Sequence, residues 1–320
     1  MIPSSNGIPD AWLKPIAAGT PLSAGSAPNG LTISVTGTSV SGFGAAPLAG
    51  GAEGDLGTAQ MLEVIREQKL PIKKFIVASS QAVYSEGAAT CPEHGLVFPS
   101  VRPVVQLREG DWKVHCPICG AVTSSAPTPE NAPIGGETVY GLTKVDQEKL
   151  VLLWGKQTGI PTVALRYSCT YGPRQSIFNP YTGVIAIFCT RLLNDLPPVL
   201  YEDGEQTRDF SFVEDIARAN LLAAESAALD GLPVNVGSGC GMPIREVAAQ
   251  ISDALDIQIA PETNGEFRPG EMRHLTSDTT RIKAAGYRPQ VDLATGTDLA
   301  AGRAIEASSA PPWKSNSGGP

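Results

Sequence analysis

The sequence predicts an α/β fold built on a doubly wound parallel sheet. Two short, continuous apolar runs, residues 75–78 and 162–167, indicate strands that are buried on both sides. Amphipathic segments long enough for helices alternate with such runs, an order that produces a parallel sheet covered by helices on both faces. The first strand ends in Ser79 and Ser80, and parallel sheets place their active sites at the carboxyl ends of strands.

The individual elements have recognisable beginnings and ends. The apolar spacing after Gly57 predicts a helix, and a strand follows at residues 74–80. A second helix, residues 140–158, is ended by Gly159 and Pro161, which are typical of helix termini. Further helices are predicted at residues 185–193, 213–229 and 244–255, and further strands at residues 162–167, 199–201 and 234–236.

Composition and charge narrow the class of protein. The chain has 320 residues, of which 42% are hydrophobic and 18% charged, as expected for a globular protein with one large domain and a smaller lobe. Its 24 basic and 32 acidic residues give a net charge of −8, which argues against a general nucleic-acid binder. No apolar stretch is long enough to span a membrane and no secretory signal opens the chain, so a cytoplasmic location is expected.

The two ends of the chain differ from the rest. Residues 1–54 contain few charged side chains and many Gly and Pro, and no periodicity persists there apart from a short run at residues 31–35. Such a segment buries little apolar surface, so residues 1–54 are predicted to be disordered. Residues 306–320 are predicted to form a flexible tail.

Tyr140 and Lys144 form the most informative local pair. Four residues along a helix place two side chains on one face, one above the other. Because an ammonium favours a nearby phenolate, Lys144 is expected to lower the pKa of Tyr140 and prepare it as general base and acid for a sugar hydroxyl. Alone, this spacing is common in surface helices, and Ser79 and Ser80 are equally typical of an ordinary turn. Their occurrence together favours the catalytic interpretation.

This pair is one of six sequence stretches that resemble a known family in type and order. They are residues 75–84, 140–144, 165–175, 203–215, 235–239 and 268–271. Together they resemble the extended short-chain dehydrogenase/reductase superfamily, in its nucleotide-sugar epimerase/dehydratase branch. The resemblance implies a Rossmann-like fold, a homodimer, and a bound NAD that takes hydride from a sugar carbon and returns it. It also implies a partial NAD-binding domain at residues 55–168 and a substrate-binding lobe at residues 169–305.

Residue roles follow from that resemblance. Arginine's fixed fork of donors suits the diphosphate of a nucleotide sugar. The implied catalytic residues are Ser80, Tyr140 and Lys144. The implied cofactor contacts are Ser79, Tyr140, Lys144 and Tyr167, and the implied substrate contacts are Asn179, Arg208 and Arg268.

The residues after Ser80 help to choose the reaction. The 4,6-dehydratases of this branch carry an Asp-Glu pair there, because eliminating water needs an added acid and base. This chain has Gln81 and Ala82, which cannot transfer protons. The sequence therefore favours epimerisation at C4, through a 4-keto sugar, over dehydration.

An insertion at about residues 86–126 contains two cysteine knuckles. Cys91-Pro-Glu-His94 and Cys116-Pro-Ile-Cys119 offer four protein ligands, as structural zinc requires, and leave no open position for catalysis. His115 is an alternative ligand, and incidental reduced thiols are the alternative to a metal. The insertion resembles that of the dTDP-L-rhamnose 4-epimerase-like group of the family. A zinc module for nucleic acid is disfavoured by the lack of a basic stripe.

The amino-terminal cofactor motif of the family has no clear counterpart. The family begins with a strand, a Gly-rich turn and a helix that hold the NAD pyrophosphate. Residues 33–44 are only faintly similar, and a Gly-rich coil is the favoured interpretation. We therefore expect residues 1–54 not to be the ancestral amino-terminal domain. The alternative to an active epimerase is a truncated, catalytically impaired homologue that acts as a binding or assembly subunit.

Overall fold

The computed structural model describes residues 31–35, 49–173, 175 and 183–300. Its centre is a sheet of four parallel strands in the order β1 (Leu31–Val35), β2 (Ile72–Ser80), β6 (Thr162–Tyr167) and β10 (Leu232–Val236). Strands β2 and β6 pair from Phe75 opposite Thr162 to Ser80 opposite Tyr167. This register brings the two strand ends level at the carboxyl edge of the sheet.

Helices cover both faces of this sheet, as the sequence predicts. On one face, α1 (Ala49–Glu67) and α3 (Val139–Thr158) pack Leu62, Ile65 and Val151 against Phe75 and Val77. On the other face lie α5 (Val213–Glu225) and α7 (Thr280–Ala284), with Ile76 and Leu165 of the sheet buried against them. The doubly wound α/β prediction is confirmed.

The smaller lobe follows the third strand of the central sheet. It contains β7 (Cys169–Tyr171), α4 (Val184–Leu192), β8 (Val199–Leu200), β9 (Thr207–Phe212), β11 (Gly241–Pro243), α6 (Ile244–Leu255), β12 (Glu262–Thr263) and β13 (His274–Leu275). Strand β9 pairs with β7, β11 and β13. Helices α4 and α6 bury Phe188, Leu192, Val247 and Ile251 in a separate core.

Part of the region predicted to be disordered is ordered. Leu31–Val35 forms β1, which runs parallel to β2 with Val35 opposite Val77, and α1 begins at Ala49 instead of Gly57. The disorder predicted for residues 1–54 is therefore wrong for these parts. An apolar, β-branched run gains backbone hydrogen bonds by joining an existing sheet, which the average composition of the segment conceals. The rest of that region and residues 306–320 lie outside the described residues.

The insertion is a small unit of its own. It contains β3 (Ala88–Cys91), β4 (Gly95–Val97), α2 (Val104–Arg108) and β5 (Ser124–Ala126), with the three strands in an antiparallel sheet of order β4-β3-β5. Ala89, Cys91, Val97 and Cys116 form its buried cluster. A core of this size rarely stabilises a unit by itself. Small units of this kind are usually stabilised further, by a disulfide or a metal ion. Among the helices described, none is long and apolar enough to cross a membrane.

Glu86, at the start of the insertion, is buried beside Arg102 and Arg273. Burial raises the pKa of its carboxyl to about 7, although Arg102 and the backbone N–H of Arg273 act in the opposite direction. A carboxyl with a raised folded-state pKa stabilises the fold fully below its unfolded value and loses that contribution as the pH rises through about 7.

We therefore expect Glu86→Gln to be more stable than the parent chain at pH 8, by up to about 3 kcal/mol. The difference should shrink as the pH falls to 5, because the carboxyl of the parent then becomes neutral too. Thermal unfolding of both chains across this range measures it. The nearby His274, whose pKa burial lowers to about 4, is common to both chains and cancels. A stability difference that does not change with pH would contradict the assigned pKa.

Candidate active site and candidate metal centre

The carboxyl ends of β2 and β6 place Ser80 beside Tyr167. Directly after Ser80 the chain turns through a short 3₁₀ helix, Gln81–Val83, and the Ser80 hydroxyl accepts a hydrogen bond from the Ala82 N–H at 3.1 Å. This cap fixes the serine side chain at the edge of the sheet. Ser80 thus lies where a doubly wound fold positions its reacting groups.

Tyr140 reaches Ser80 from the first turn of α3. Thr138 caps this helix by accepting from the Gly141 N–H at 3.0 Å. A side chain at position 141 would lie 2.5 Å from the Ala82 carbonyl oxygen, so glycine allows the helix start to touch the turn after Ser80. Ser80 is close enough to the half-buried Tyr140 to lower its pKa, against the effect of burial. The structure therefore brings these two hydroxyls together.

Lys144 lies one turn further along α3 and is buried. Its ammonium donates to the Ala78 carbonyl at 2.9 Å and to Gln147 Oε1 at 3.0 Å, and it lies 5.8 Å from the centre of the Tyr140 ring. Burial lowers the pKa of Lys144 to about 8, while the Asp55 carboxylate acts in the opposite direction. The amine is thus close to the tyrosine but engaged elsewhere.

The expected lowering of the Tyr140 pKa by Lys144 is not found. Burial raises the pKa of Tyr140, and Ser80 offsets this only in part. The physical reason is that the phenol loses water while the Lys144 ammonium is held by the Ala78 carbonyl. The residues that the sequence predicts to lie together do so. A lowered pKa of Tyr140 would need a further positive charge near the phenol.

Ser79 belongs to a buried network beneath the site and not to its open side. Its hydroxyl donates to Glu148 Oε2 at 2.8 Å, and Arg166 donates to the same oxygen at 3.0 Å. Arg166 also donates to the Tyr84 hydroxyl at 2.8 Å, and Tyr84 donates to Asn235 at 2.7 Å. The cofactor contact expected of Ser79 stays a prediction, and its hydroxyl supports the site through Glu148.

Glu148 and Arg166 are functional-site residues that the sequence interpretation missed. Both are buried, and they form the main ion pair of the network beneath Ser80. Two signals could have found them. Glu148 follows Lys144 by four residues on the same helix face, and Arg166 is a charge inside an otherwise apolar buried strand, where charges need partners.

Tyr167 has a defined neighbour on the opposite face of the sheet. Its hydroxyl donates to Asn220 Oδ1 of α5 at 2.8 Å, and burial raises the pKa of this phenol to about 12. Tyr167 stays beside Ser80 through the strand register, but its hydroxyl is anchored towards α5. A cofactor contact from Tyr167 would therefore come from the ring.

Cys169 and Gln81 connect the candidate catalytic residues to the smaller lobe. Gln81 Nε2 donates to Cys169 Sγ at 3.1 Å, and Gln81 Oε1 is buried without a hydrogen-bond partner among the described residues. Burial raises the pKa of the Cys169 thiol to about 11, so the thiol is neutral. The Gln81 amide does not transfer protons, and the Cys169 thiol stays protonated near neutral pH. The two side chains therefore do not form an acid and base pair.

The two arginines assigned to the diphosphate lie on the lobe in different states. Arg208 is buried and donates to the carbonyls of Arg273 at 3.1 Å and Met272 at 2.7 Å and to Glu271 Oε1 at 3.1 Å. Arg268 is exposed, and its guanidinium stacks 5.0 Å from the centre of the Tyr201 ring. Arg268 is thus open to an anion, while Arg208 must exchange partners. Asn179 lies outside the described residues.

The insertion brings together the four predicted metal ligands. The ligand atoms of Cys91, His94, Cys116 and Cys119 all lie within 4.8 Å of one another. Cys91 Sγ is 3.6 Å from Cys119 Sγ and 3.5 Å from His94 Nδ1. Zinc bound by thiolates at about 2.3 Å in a tetrahedron separates its ligands by about 3.8 Å, so the donor set and its size fit zinc.

His115 is not part of this ligand cluster. Its Nε2 lies 2.8 Å from Asp111 Oδ2 and its Nδ1 lies 3.0 Å from the Gly120 carbonyl oxygen. Both ring nitrogens therefore have other partners. Backbone N–H groups of Glu93 and Ile118 point to Cys91 Sγ and Cys116 Sγ, each at 3.4 Å, as in knuckles that stabilise thiolates.

Comparison with known proteins shows which family part of the chain matches. The sequence profile of the NAD dependent epimerase/dehydratase family matches residues 116–237. The dTDP-L-rhamnose 4-epimerase of Burkholderia thailandensis is 35% identical over 245 residues, which cover 75% of this chain and 65% of that protein. Residues 116–237 therefore match the NAD-dependent epimerase/dehydratase family, and the chain is similar to a 4-epimerase over three quarters of its length. It spans just under two thirds of the length of this relative.

Solved structures of the family share the fold. The UDP-N-acetylglucosamine 4-epimerase from Methanobrevibacter ruminantium M1, in complex with UDP-N-acetylmuramic acid, aligns with a TM-score of 0.64 and 27% identity over 82% of this chain and 71% of that one. The UDP-glucose 4-epimerase of Thermus thermophilus, in complex with NAD, aligns with a TM-score of 0.59 and 27% identity over 79% of this chain and 70% of that one. The Rossmann-like architecture expected from the resemblance is confirmed.

Proposed function

We propose that this protein is an NAD-dependent epimerase that inverts C4 of a nucleotide-diphosphate hexose, a dTDP- or UDP-sugar. The observation that carries the proposal is the grouping of Ser80 and Tyr140 at the carboxyl edge of a parallel sheet, with Lys144 one turn away. The relatives named above act on nucleotide sugars of this kind by their names. Gln81 and Ala82 disfavour dehydration, as argued from the sequence.

In this proposal, Tyr140 takes the proton of the C4 hydroxyl. It returns the proton after the 4-keto sugar has rotated in the site to present its opposite face. Ser80 hydrogen-bonds the same oxygen and holds it in line with the phenol. NAD, when bound, would supply the acceptor and donor of the C4 hydride, and the positive charge of its oxidised ring would favour the phenolate of Tyr140, whose pKa burial raises. Lys144 keeps a positive charge at neutral pH and lies where a ribose hydroxyl could replace Gln147.

The described residues fit such a cofactor. Asp55, at the α1 side of Lys144, has a buried carboxylate oxygen, Oδ1, without a hydrogen-bond partner among the described residues. A ribose hydroxyl supplies the donor that such an oxygen lacks. Strand β1, parallel and next to β2, ends at the same edge of the sheet. The alternative of an impaired binding subunit is disfavoured, because the catalytic side chains are assembled.

The test is to incubate the full chain with UDP-glucose or a dTDP-hexose and to follow the C4 epimer by chromatography. Nicotinamide absorbance and cofactor release from the same preparation measure bound NAD. Epimer formation with bound NAD is expected. An assembled, folded chain that neither holds NAD nor converts any of these sugars would favour the binding-subunit alternative.

We further propose that Cys91, His94, Cys116 and Cys119 bind a structural zinc ion. The support is the closeness of the four ligand atoms and the weak core of the insertion around them. Four protein ligands fill the tetrahedron, so the metal would staple the loop and would not activate water.

Replacing one ligand tests this metal site. We expect the parent chain, purified without chelator, to contain about one zinc ion, and Cys116→Ser to lose it and unfold at a lower temperature. Elemental analysis and thermal unfolding measure both effects. Cys240→Ser is the matched control, since Cys240 is exposed and outside the cluster. A parent chain without zinc, or a Cys116→Ser chain that keeps it, would refute the site.

The homodimer also stays a proposal. Leu142 and Leu153 of α3 and Leu56 of α1 are each about half exposed, and they lie on two helices that pack together. An apolar face of this kind supports pairing with a second copy. Sedimentation of the full chain distinguishes dimer from monomer.

A further inference from the structure

We propose that the insertion positions the diphosphate-binding arginines of the substrate lobe, and that Arg102 is the residue through which it acts. The inference rests on the proposed nucleotide-sugar function. It assigns to the insertion a role in substrate binding, carried by a residue that contacts neither the substrate nor the metal ligands.

Arg102 is a buried arginine that joins the insertion to the lobe. Its guanidinium donates to both oxygens of Glu202, at 2.8 Å and 3.0 Å, in a bidentate pair. It also donates to the Trp112 carbonyl within the insertion and to the Glu271 carbonyl on the lobe, each at 3.1 Å. One side chain thus fixes three distant segments of the chain relative to one another.

Glu202 leads from this clamp to the first arginine of the substrate site. It is buried, accepts from Arg273 at 2.7 Å as well as from Arg102, and has a positive φ of 52°. A non-glycine residue keeps such a backbone only where its surroundings hold it. The Arg268 guanidinium stacks on the ring of Tyr201, the residue before Glu202. The direction of that ring, and with it the place of the Arg268 guanidinium, therefore depends on the Glu202 backbone.

Glu271 leads to the second arginine. Its carbonyl accepts from Arg102, while its carboxylate accepts from Arg208 Nη2 at 3.1 Å. Among the described residues, the half-buried Glu271 carboxylate is the only side-chain acceptor of Arg208, because its other acceptors are backbone carbonyls. Arg102 therefore holds the backbone of Glu271. The carboxylate of Glu271 must release Arg208 before Arg208 can bind an anion.

The place of Arg102 in the insertion explains why a metal staple would help this clamp. Arg102 lies between the two knuckles, after His94 and before Cys116. A metal that joins the knuckles closes the loop that carries Arg102 and limits its freedom before the lobe is engaged. Binding of a diphosphate then loses less entropy, because its two arginines are already placed.

The experiment measures binding of UDP and dTDP to the full chain by calorimetry. Arg102→Lys keeps the charge but loses the bidentate fork, and Glu202→Gln keeps the shape of the acceptor side chain. Both are expected to weaken nucleoside diphosphate binding roughly tenfold or more, with the content of bound NAD unchanged. Arg108→Met is the matched control, since Arg108 is an exposed arginine of the same insertion and binding should stay as in the parent.

A double variant separates positioning from general damage. If Arg102 acts through Arg268, then Arg268→Ala should lose most of its effect once Arg102→Lys is present, so the two losses do not multiply. Folded Arg102→Lys and Glu202→Gln chains that bind like the parent, or losses that multiply in full, would overturn the inference. A folded parent chain that binds neither UDP nor dTDP would instead overturn the proposed function, and this inference with it.

Discussion

Tyr140→Phe is expected to lower turnover of a nucleotide hexose by about 10² to 10⁴-fold, the usual contribution of general acid and base catalysis. The change removes only the hydroxyl on which Ser80 acts. The ring, which packs beside Lys144, stays in place. Initial rates with saturating sugar measure the effect, and circular dichroism with thermal unfolding verifies that the fold is intact.

Tyr287→Phe provides the matched control. Tyr287 is buried, and its hydroxyl has no hydrogen-bond partner among the described residues, so its loss should change neither rate nor stability appreciably. If Tyr140→Phe turns the sugar over as fast as the parent chain, Tyr140 is not the acid and base, and the function proposed for this site is wrong.

Arg166→Met is expected to lower the free energy of unfolding by about 3–5 kcal/mol, because it leaves a buried carboxylate without its partner. Arg166 and Glu148 are both almost fully buried, and Arg166 also holds the Glu130 carbonyl at 2.9 Å. Ser79 would lose its rigid acceptor, so turnover should fall too. Urea unfolding followed by circular dichroism measures the stability loss.

The double variant Glu148→Met/Arg166→Met should recover part of that stability, since two apolar side chains leave no buried charge. Arg66→Met is a control on an exposed ion pair with Glu63 and should produce no measurable change. Equal losses in the single and double variants would show that packing, and not charge compensation, decides the stability here.

Many helices and strands of the fold could be predicted because residues close together in the sequence determine them. The strand predicted at residues 162–167 has the bounds of β6, and the helix predicted from Tyr140 begins one residue earlier in the structure. Apolar periodicity, Gly159 and Pro161 suffice for such elements. The pairing of Ser80 with Tyr140 also follows from elements whose order along the chain determines their place in a parallel sheet.

What could not be predicted depends on contacts between distant segments. Arg102 and Glu202 are separated by a hundred positions, and no local pattern relates them. The raised pKa of Tyr140 reflects how far the folded chain excludes water, which spacing along a helix does not reveal. Strand β1 was not predicted because the average composition of residues 1–54 outweighs its four apolar or β-branched residues.

The opposite directions of the Ser79 and Ser80 side chains restrict where residues can be inserted in this chain. Adjacent strand residues face opposite sides of a sheet, and here Ser79 donates to Glu148 within α3, while Ser80 acts on Tyr140 at the start of that helix. One extra residue within β2 would exchange the two hydroxyls and disable both. Four residues after Ser80, the Tyr84 hydroxyl donates to Asn235 and so fixes the chain that leaves β2. An insertion that begins after Tyr84 therefore leaves the register of the two serines in β2 unchanged.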